Sequence, residues 1–319
     1  MIGLKFKDGQ GLGNQLWNYI SCRCIAKKNN YKFTIFGKDL FKGKSFLRID
    51  YGVRAKIRDF SLIKENLYYD QSLEYISSIY DAKFEKLEKK SLIEGLFQDE
   101  RYFFNYKNLI REFLVHKSKK KFNFDKNTCI LNIRGGEYKR HKKLILPKSY
   151  WDNSIDVMKN KFNINNFIIV TDDYYYAKDL FPKFEIITNN IEKCFSALVE
   201  AQYLIISNSS FSYFPIKLGQ SKFIIAPKYW SRFENKLCRW ASPCNLYEGY
   251  NFIDQNGKLF SYQDCLKEKE DLENLYIKNY NLKFNDSYLD LSGIRKYFPK
   301  KFKEVVKKFF SRIFPRKIG

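Results

Sequence analysis

Hydrophobic and polar positions along the chain alternate between two periods, and the switches mark out elements. Ile2 to Phe6 reads as a short strand, and Gly9 to Gln15 as a glycine-rich turn. Leu16 to Lys27 then carries apolar residues at 16, 17, 19, 20 and 24, which is helical spacing. Tyr31 to Phe36 is the next strand. A strand, turn, helix and strand in that order open a doubly wound α/β unit. Residues 39–90 are charged and tyrosine-rich, with several short helical patterns and no clear period. Apolar character returns at Ser91 to Phe97, and a helix is expected over 104–116.

The basic run Lys117-Ser118-Lys119-Lys120-Lys121 reads as a solvated linker between units. Beyond it the rhythm repeats. Strands are expected at Thr128–Ile133, Phe167–Thr171, Glu185–Thr188, Tyr203–Ile206 and Phe223–Ala226. Helices are expected at Lys148–Lys161, Tyr174–Phe181, Glu192–Ala201 and from Ser212 to about 219. Such alternation implies a parallel sheet whose strand C-terminal ends form the working edge. Residues 264–280 look helical and charged. In 300–314, Phe302, Val305, Val306, Phe309, Phe310, Ile313 and Phe314 fall on one helical stripe. The expected divisions are 1–117, 122–235, a helical extension over 236–294 and a basic amphipathic tail over 295–319.

Composition narrows the picture. With 319 residues, 45% hydrophobic and 18% aromatic, the chain can bury the cores of two α/β units and is not a disordered one. Its net charge of +23 favours polyanions, anionic membranes or phosphorylated small molecules, and does not choose among them. The tail holds ten Lys/Arg against Glu304 alone, as an interfacial anchor on anionic lipid would; a stripe packed on the protein is the other reading. Seven cysteines in mostly apolar runs, with Met1 leading directly into a charged strand, point to reduced thiols and a cytoplasmic protein. Two histidines make a His-based metal site improbable. No run of about 18 apolar residues suggests a membrane span.

Candidate chemistry gathers at the expected working edge. Arg134 follows a strand, and its planar fork of donors suits phosphate oxygens. Ser209, Ser210 and Ser212 lie between a strand and a helix, where hydroxyls and free N–H groups suit an anion or cap the helix. Asp172 and Asp173 end another strand and suit a base or ribose, or again a helix cap. The Gly9–Gln15 turn has Asn14 where a dinucleotide fingerprint has its third glycine, which argues against a nicotinamide site; as a tight turn it would place Asn14 at the helix N-cap. No nucleophile has a plausible base beside it, and no DxD-like metal motif precedes a phosphate site.

Six segments in order carry a resemblance: Gly11-Leu12-Gly13-Asn14-Gln15-Leu16, Gly95 to Phe103, Ile133-Arg134-Gly135-Gly136-Glu137-Tyr138, Val170-Thr171-Asp172-Asp173, Asn208-Ser209-Ser210-Phe211-Ser212 and Ile225 to Trp230. Together, over about residues 1–232, they resemble the bacterial α-1,2-fucosyltransferase family. The resemblance implies a GT-B fold, with two Rossmann-like domains facing a central cleft and GDP-fucose held mainly by the second. It implies inversion at the anomeric carbon and no cofactor or catalytic metal.

By position, Arg134 is expected to grip the diphosphate and assist its departure, with Asn14 the second catalytic candidate. Ser209, Ser210 and Phe211 are expected to line the phosphates, and Gln15 to reach the donor beside Asn14. Gly13, Asn132, Asp172, Asp173 and Asn208 complete the expected donor set. Glu137 is the candidate base, with Asp8, Asp99 and Glu100 as others. The family pattern His-x-Arg-Arg-Gly-Asp-Tyr is here Asn132-Ile133-Arg134-Gly135-Gly136-Glu137-Tyr138. That leaves another nucleotide-sugar open as donor.

The expected partners are the nucleotide-sugar, a glycan acceptor (a lipid-linked one would suit the tail) and the inner membrane surface through 295–319, with no nucleic acid. A nucleic-acid-binding protein and an inactive sugar-nucleotide binder are the rival readings.

Overall fold

The computed structural model describes residues 1–70, 72–118 and 121–279. The tail stripe, and the last part of the expected helical extension, lie outside the described residues. Two parallel sheets form the frame. The first holds β1 (Ile2–Lys5), β2 (Phe33–Phe36), β4 (Ser61–Lys64) and β7 (Ser91–Glu94) in the order β2-β1-β7-β4. Its register aligns Ile2 with Phe33 on one side and with Ser91 on the other. Two antiparallel pairs lie outside it: β3 (Leu47–Ile49) with β8 (Leu114–His116), and β5 (Leu67–Asp70) with β6 (Tyr75–Ser78).

The second sheet runs β11-β10-β9-β12-β13-β14-β15. Its strands are β9 (Thr128–Ile133), β10 (Asn166–Thr171), β11 (Glu185–Ile187), β12 (Tyr203–Ile206), β13 (Phe223–Pro227), β14 (Asn251–Ile253) and β15 (Leu259–Ser261). All neighbours are parallel except the last pair. The helices are α1 (Leu12–Lys28), α2 (Ile110–Phe113), α3 (Lys148–Phe162), α4 (Tyr174–Leu180), α5 (Ile191–Glu200), α6 (Tyr213–Leu218) and α7 (Tyr262–Asn279). None of the described helices is long and apolar enough to cross a membrane. All seven cysteines are free, and only Cys238 is exposed.

β9 shows why this sheet forms. Every residue of it is buried, and alternate side chains serve different cores. Cys129, Leu131 and Ile133 pack with Tyr150, Trp151 and Met158 of α3, while Ile130 joins Leu198 and Leu204 on the opposite face. The second of these cores continues without a break to Ile2, Leu16 and Trp17 of the first unit. α1 is therefore buried nearly all round, between its own sheet and the second unit. α7 returns to the first unit, where Glu273 accepts from Arg101 at 2.9 Å and Tyr276 donates to Asp70 at 3.1 Å.

Two α/β units across a cleft are the architecture expected from the sequence, with three local differences. The helix expected over 104–116 is a 3-10 turn at Lys107–Leu109 and the single turn α2, after which Leu114–His116 pairs with β3. The stretch taken as a helical extension from 236 first adds β14 and β15 to the second sheet, because Phe252 and Ile253 are buried there; only then does α7 begin. α1 starts at Leu12, with Gly11 as N-cap, so Asn14 lies inside the first turn and is not the cap.

Candidate functional site

The chain order reverses about β9: β10 and β11 lie on one side of it, β12 and β13 on the other. In open α/β sheets that switch point opens a crevice at the strand C-terminal ends, where ligands bind. Arg134 leaves the end of β9 there, and Ser207 leaves the end of β12. The two exits are adjacent: Ile206 is in register with Asn132, and Ser207 N–H donates to Asn132 O at 3.0 Å. Facing them across the cleft is the Gly9–Asn14 turn. The cavity between them is about 750 Å³, open to solvent on one side, and is lined from both units, among others by Asn14, Gln98, Asn132, Arg134, Asn208 and Ser210.

Arg134 is held from two sides. Its Nη1 pairs with Asp172 Oδ2 at 2.8 Å, and its guanidinium carbon lies 5.3 Å from the centre of the Tyr138 ring. Tyr138 donates its hydroxyl to Asn208 O at 3.1 Å, and burial pushes its pKa up to about 12. Arg134 Nε is buried and has no hydrogen-bond partner among the described residues. Asp172 spends its other oxygen on Gly135 N–H at 3.0 Å. It therefore orients Arg134 with one oxygen and the turn with the other, while still lining the cavity where base or ribose contacts were expected.

Asp173 does not line the cavity. Its Oδ1 accepts from Tyr176 N–H at 3.1 Å as the cap of α4, and its Oδ2 pairs with Lys139. Burial works against its charge, but Lys139 and the Tyr176 N–H outweigh that and hold its pKa below the usual carboxylate range. The glycine at 135 also has a local cause: a Cβ there would meet Tyr176 at 2.7 Å and Asp173 at 2.8 Å. The arginine of the family pattern has no room at this position.

The amides of the cavity wall have defined orientations. Asn132 Nδ2 donates to Val170 O at 3.3 Å, Asn208 Nδ2 to Leu144 O at 3.2 Å and Asn18 Nδ2 to Asn14 O at 2.9 Å. A main-chain carbonyl only accepts, so in each case the nitrogen must face it and the oxygen is left over. All three oxygens are buried without a partner among the described residues. Unpaired buried polar atoms cost about 1–3 kcal/mol each, and their gathering around one cavity fits a ligand rich in hydroxyl or N–H donors.

Asn14 meets the second unit directly. Its Oδ1 accepts from Ser210 Oγ at 2.7 Å and from Gln98 Nε2 at 2.8 Å. Gly13 is what lets the units approach: a Cβ there would lie 2.5 Å from the Ser210 carbonyl carbon. Its contribution is that close packing rather than a side-chain contact. Gln15 does not reach the cavity. It is fully buried, donates to Leu40 O at 2.8 Å and accepts from Lys42 N–H at 2.9 Å, so it fixes the 40–42 loop. Ser209 Oγ accepts from Phe211 N–H at 3.3 Å, and Ser212 Oγ donates to Ser209 O at 3.0 Å, which shapes the turn.

Of the carboxylates, only Glu137 and Asp172 line the cavity among the described residues. Glu137 is exposed and lies 4.0 Å from Arg134 Nη2. The other base candidates are used elsewhere. Asp99 is clamped by Arg101 and Lys269, Glu100 accepts from Tyr213 Oη at 2.6 Å, and Asp8 only accepts from Gly9 N–H at 2.9 Å.

The cavity wall also holds Lys42, Tyr75, His141 and Asn245, which the sequence did not mark out. Tyr75 and Lys42 come from the illegible 39–90 stretch, and Asn245 lies beyond the last motif. Only their position in space identifies them.

Glu65 is a buried group behind the wall. It accepts from Leu96 N–H at 2.7 Å, Phe97 N–H at 3.0 Å and Tyr102 Oη at 3.0 Å, and so fixes the loop that carries Gln98. Burial raises its pKa to about 7. The folded state thus binds this proton more tightly than the unfolded chain, whose Glu pKa is about 4.3. Its contribution to stability is full below that value and is lost as pH rises through about 7. Glu65→Gln, which keeps an acceptor for both N–H groups, should gain about 1–3 kcal/mol on the wild type between pH 5 and pH 8. Thermal unfolding of both proteins over that range measures it, and parallel curves would refute it.

Comparison with known proteins adds the following. No family model matches the chain. One curated relative, an α-1,2-colitosyltransferase of Escherichia coli, is 27% identical over 175 residues, which is 47% of this chain and 59% of the relative. The chain thus spans rather more than half the length of that relative.

Solved structures overlap only loosely. FUT1 of Arabidopsis thaliana, a mutant solved with GDP, matches with a TM-score of 0.42 at 11% identity, covering 70% of this chain and 69% of that one. The α-1,6-fucosyltransferase NodZ soaked with GDP-fucose matches at 0.43 and 10%, covering 73% and 97%. The heptosyltransferase WaaC of E. coli, with ADP, matches at 0.40 and 10%, covering 86% and 99%. The architecture, two parallel-sheet units around a cleft, rests on this chain's own topology.

Proposed function

We propose that the protein is an inverting, metal-independent glycosyltransferase that moves fucose from GDP-fucose to a hydroxyl of a cell-surface glycan precursor. The observation that carries the reading is Arg134 at the sheet switch point, beside the Ser209–Phe211 turn and across the cavity from Asn14. The diphosphate would lie between Arg134 and that turn. As the bond from the anomeric carbon to the diphosphate oxygen breaks, negative charge grows on the leaving GDP. A guanidinium already fixed by Asp172 and Tyr138 then binds the transition state better than the ground state. The acceptor oxygen would attack from the opposite face and pass its proton to Glu137, the exposed carboxylate of the wall. The unpaired oxygens of Asn18, Asn132 and Asn208 would accept from the hydroxyls or base N–H groups of the donor.

A second donor is favoured by two observations: Asn132 and Gly135 stand where the family has histidine and arginine, and the E. coli relative is named for colitose rather than fucose. A thermal-shift panel of GDP, UDP, CMP and dTDP, each with its sugars, tests the donor. Stabilisation by GDP and GDP-fucose is the expected result; stabilisation by UDP or dTDP alone would overturn the donor assignment. Transfer from GDP-fucose undiminished by EDTA, with an inverted anomeric linkage by NMR, completes the test. The basic amphipathic sequence of 295–319 supports a lipid-linked acceptor at the cytoplasmic face of the membrane.

A further inference from the structure

Gln98 belongs to the Gly95–Phe103 motif, and the donor-binding reading gives it no task. It lines the cavity and is held at both ends of its carboxamide. Its Nε2 donates to Asn14 Oδ1 at 2.8 Å, and its Oε1 accepts from Asn245 Nδ2 at 3.0 Å. Asn245 is buried, and its own oxygen accepts from Ser242 Oγ. A carboxamide has one accepting end and one donating end. Along Ser242, Asn245, Gln98 and Asn14, each acceptor is filled by the donor of the preceding group. The consequence falls on Asn14. Its oxygen takes Gln98 and Ser210 together, and its Nδ2 has no hydrogen-bond partner among the described residues. Turned the other way, Asn14 would offer an anionic ligand an oxygen instead of two N–H groups.

We propose that Gln98, gripped by Asn245, is a positioning residue that holds the Asn14 carboxamide with its N–H groups free for the phosphate or sugar oxygens of the ligand. This rests on the reading of the cavity as a nucleotide-sugar site, and it assigns a task to a motif and to a residue beyond it. Asn245 comes from the second unit and Gln98 from the first, so the row also ties Asn14's orientation to the closure of the cleft.

Gln98→Glu tests it. An ionised Glu at 98 only accepts, so it opposes Asn14 Oδ1 and draws Asn14 Nδ2 towards itself. Once protonated, the same side chain regains one donor and restores the original order. The titratable neighbours are few. Asp99 is ion-paired with Arg101 and Lys269; Cys244 is pushed by burial to about 12, and Tyr247 well above its usual value. Glu65, which holds the loop of Gln98 through the Leu96 and Phe97 N–H groups, and His141, on the cavity wall, are present in both proteins, so the variant is read as a ratio to the wild type at each pH.

GDP affinity by calorimetry should be roughly 10- to 100-fold weaker than wild type at pH 8 and recover towards wild type as pH falls to 5. A deficit of equal size at every pH, or none, would overturn the proposal; thermal unfolding of the same samples checks that the variant is folded.

A readout without ligand separates this from failure of the nucleotide reading. The Asn14 side-chain amide signal in NMR, assigned by its loss in Asn14→Asp, should move downfield in Gln98→Glu at pH 8 and return at pH 5. An unmoved signal overturns the proposal even if GDP binds. Absence of any nucleotide binding by the wild type overturns the nucleotide reading, and the amide signal then still decides the orientation.

Discussion

Arg134→Ala should lower sugar transfer at saturating donor by about 100- to 1000-fold, the usual cost of removing one preorganised group from a site of developing negative charge. Two effects add in this variant. The guanidinium charge that would face the leaving diphosphate is lost, which slows the chemical step. The pairing of Asp172 is lost too, and Asp172 also holds Gly135 N–H at 3.0 Å, so the turn itself could shift. The second effect is the smaller, because the Arg134 and Asp172 side chains remain 23% and 27% exposed and an unpaired Asp172 can be hydrated.

Arg134→Lys separates the two. It keeps one charge and can still reach Asp172, but it lacks the planar fork and the ring contact with Tyr138. Its rate should fall between wild type and Arg134→Ala, with thermal stability close to wild type. Steady-state kinetics with GDP-fucose and a hydroxylated acceptor, alongside melting curves, measure both. An Arg134→Ala protein that keeps a third of the wild-type rate would remove Arg134 from the chemistry.

How much of this was legible follows from where each segment is buried. Thr128–Ile133 and Tyr203–Ile206 are read at their observed bounds because strands buried on both faces are uninterrupted apolar runs. Arg134 and the Ser209–Phe211 turn follow from them, since polar residues just past such strands can only be at the sheet edge. The 39–90 stretch is opaque for the opposite reason. Val53, Ile57 and Leu62 are exposed, and the short strands β3 to β6 pair in three different sheets, so no period survives. Asp172 and Asp173 look alike in sequence; only the fold sets one against Arg134 and the other at the start of α4. Gln15 shows the converse. Its place beside Asn14 suggested a ligand contact, but adjacent residues of a helix point about 100° apart, and Gln15 faces the 40–42 loop.

Trp17→Ala should destabilise the protein by about 3–5 kcal/mol, the usual range for emptying a buried tryptophan site. The upper part of that range is expected because the site cannot easily collapse. The Trp17 ring is fully buried, with ring centres at 5.1 Å to Phe103, 4.2 Å to Tyr213, 5.3 Å to Phe214 and 5.4 Å to Tyr247. Phe103 belongs to the first unit, the other three to the second, so closing the void means moving one unit against the other. That movement is resisted by Tyr213 Oη on Glu100 at 2.6 Å and by Arg111 on Gly219 O at 2.8 Å.

Trp17→Phe should recover a large share of the loss, since the indole N–H is itself buried without a partner among the described residues and its removal relieves a cost of about 1–3 kcal/mol. Chemical denaturation followed by both fluorescence and circular dichroism measures the effect. A shared core predicts one transition that moves to lower denaturant by both probes. Two transitions, with only one displaced, would mean that the units are stable separately. The substitution should also raise the KM for donor, because Trp17 sits one turn along α1 from Asn14, and the same packing holds the start of that helix against Ser210.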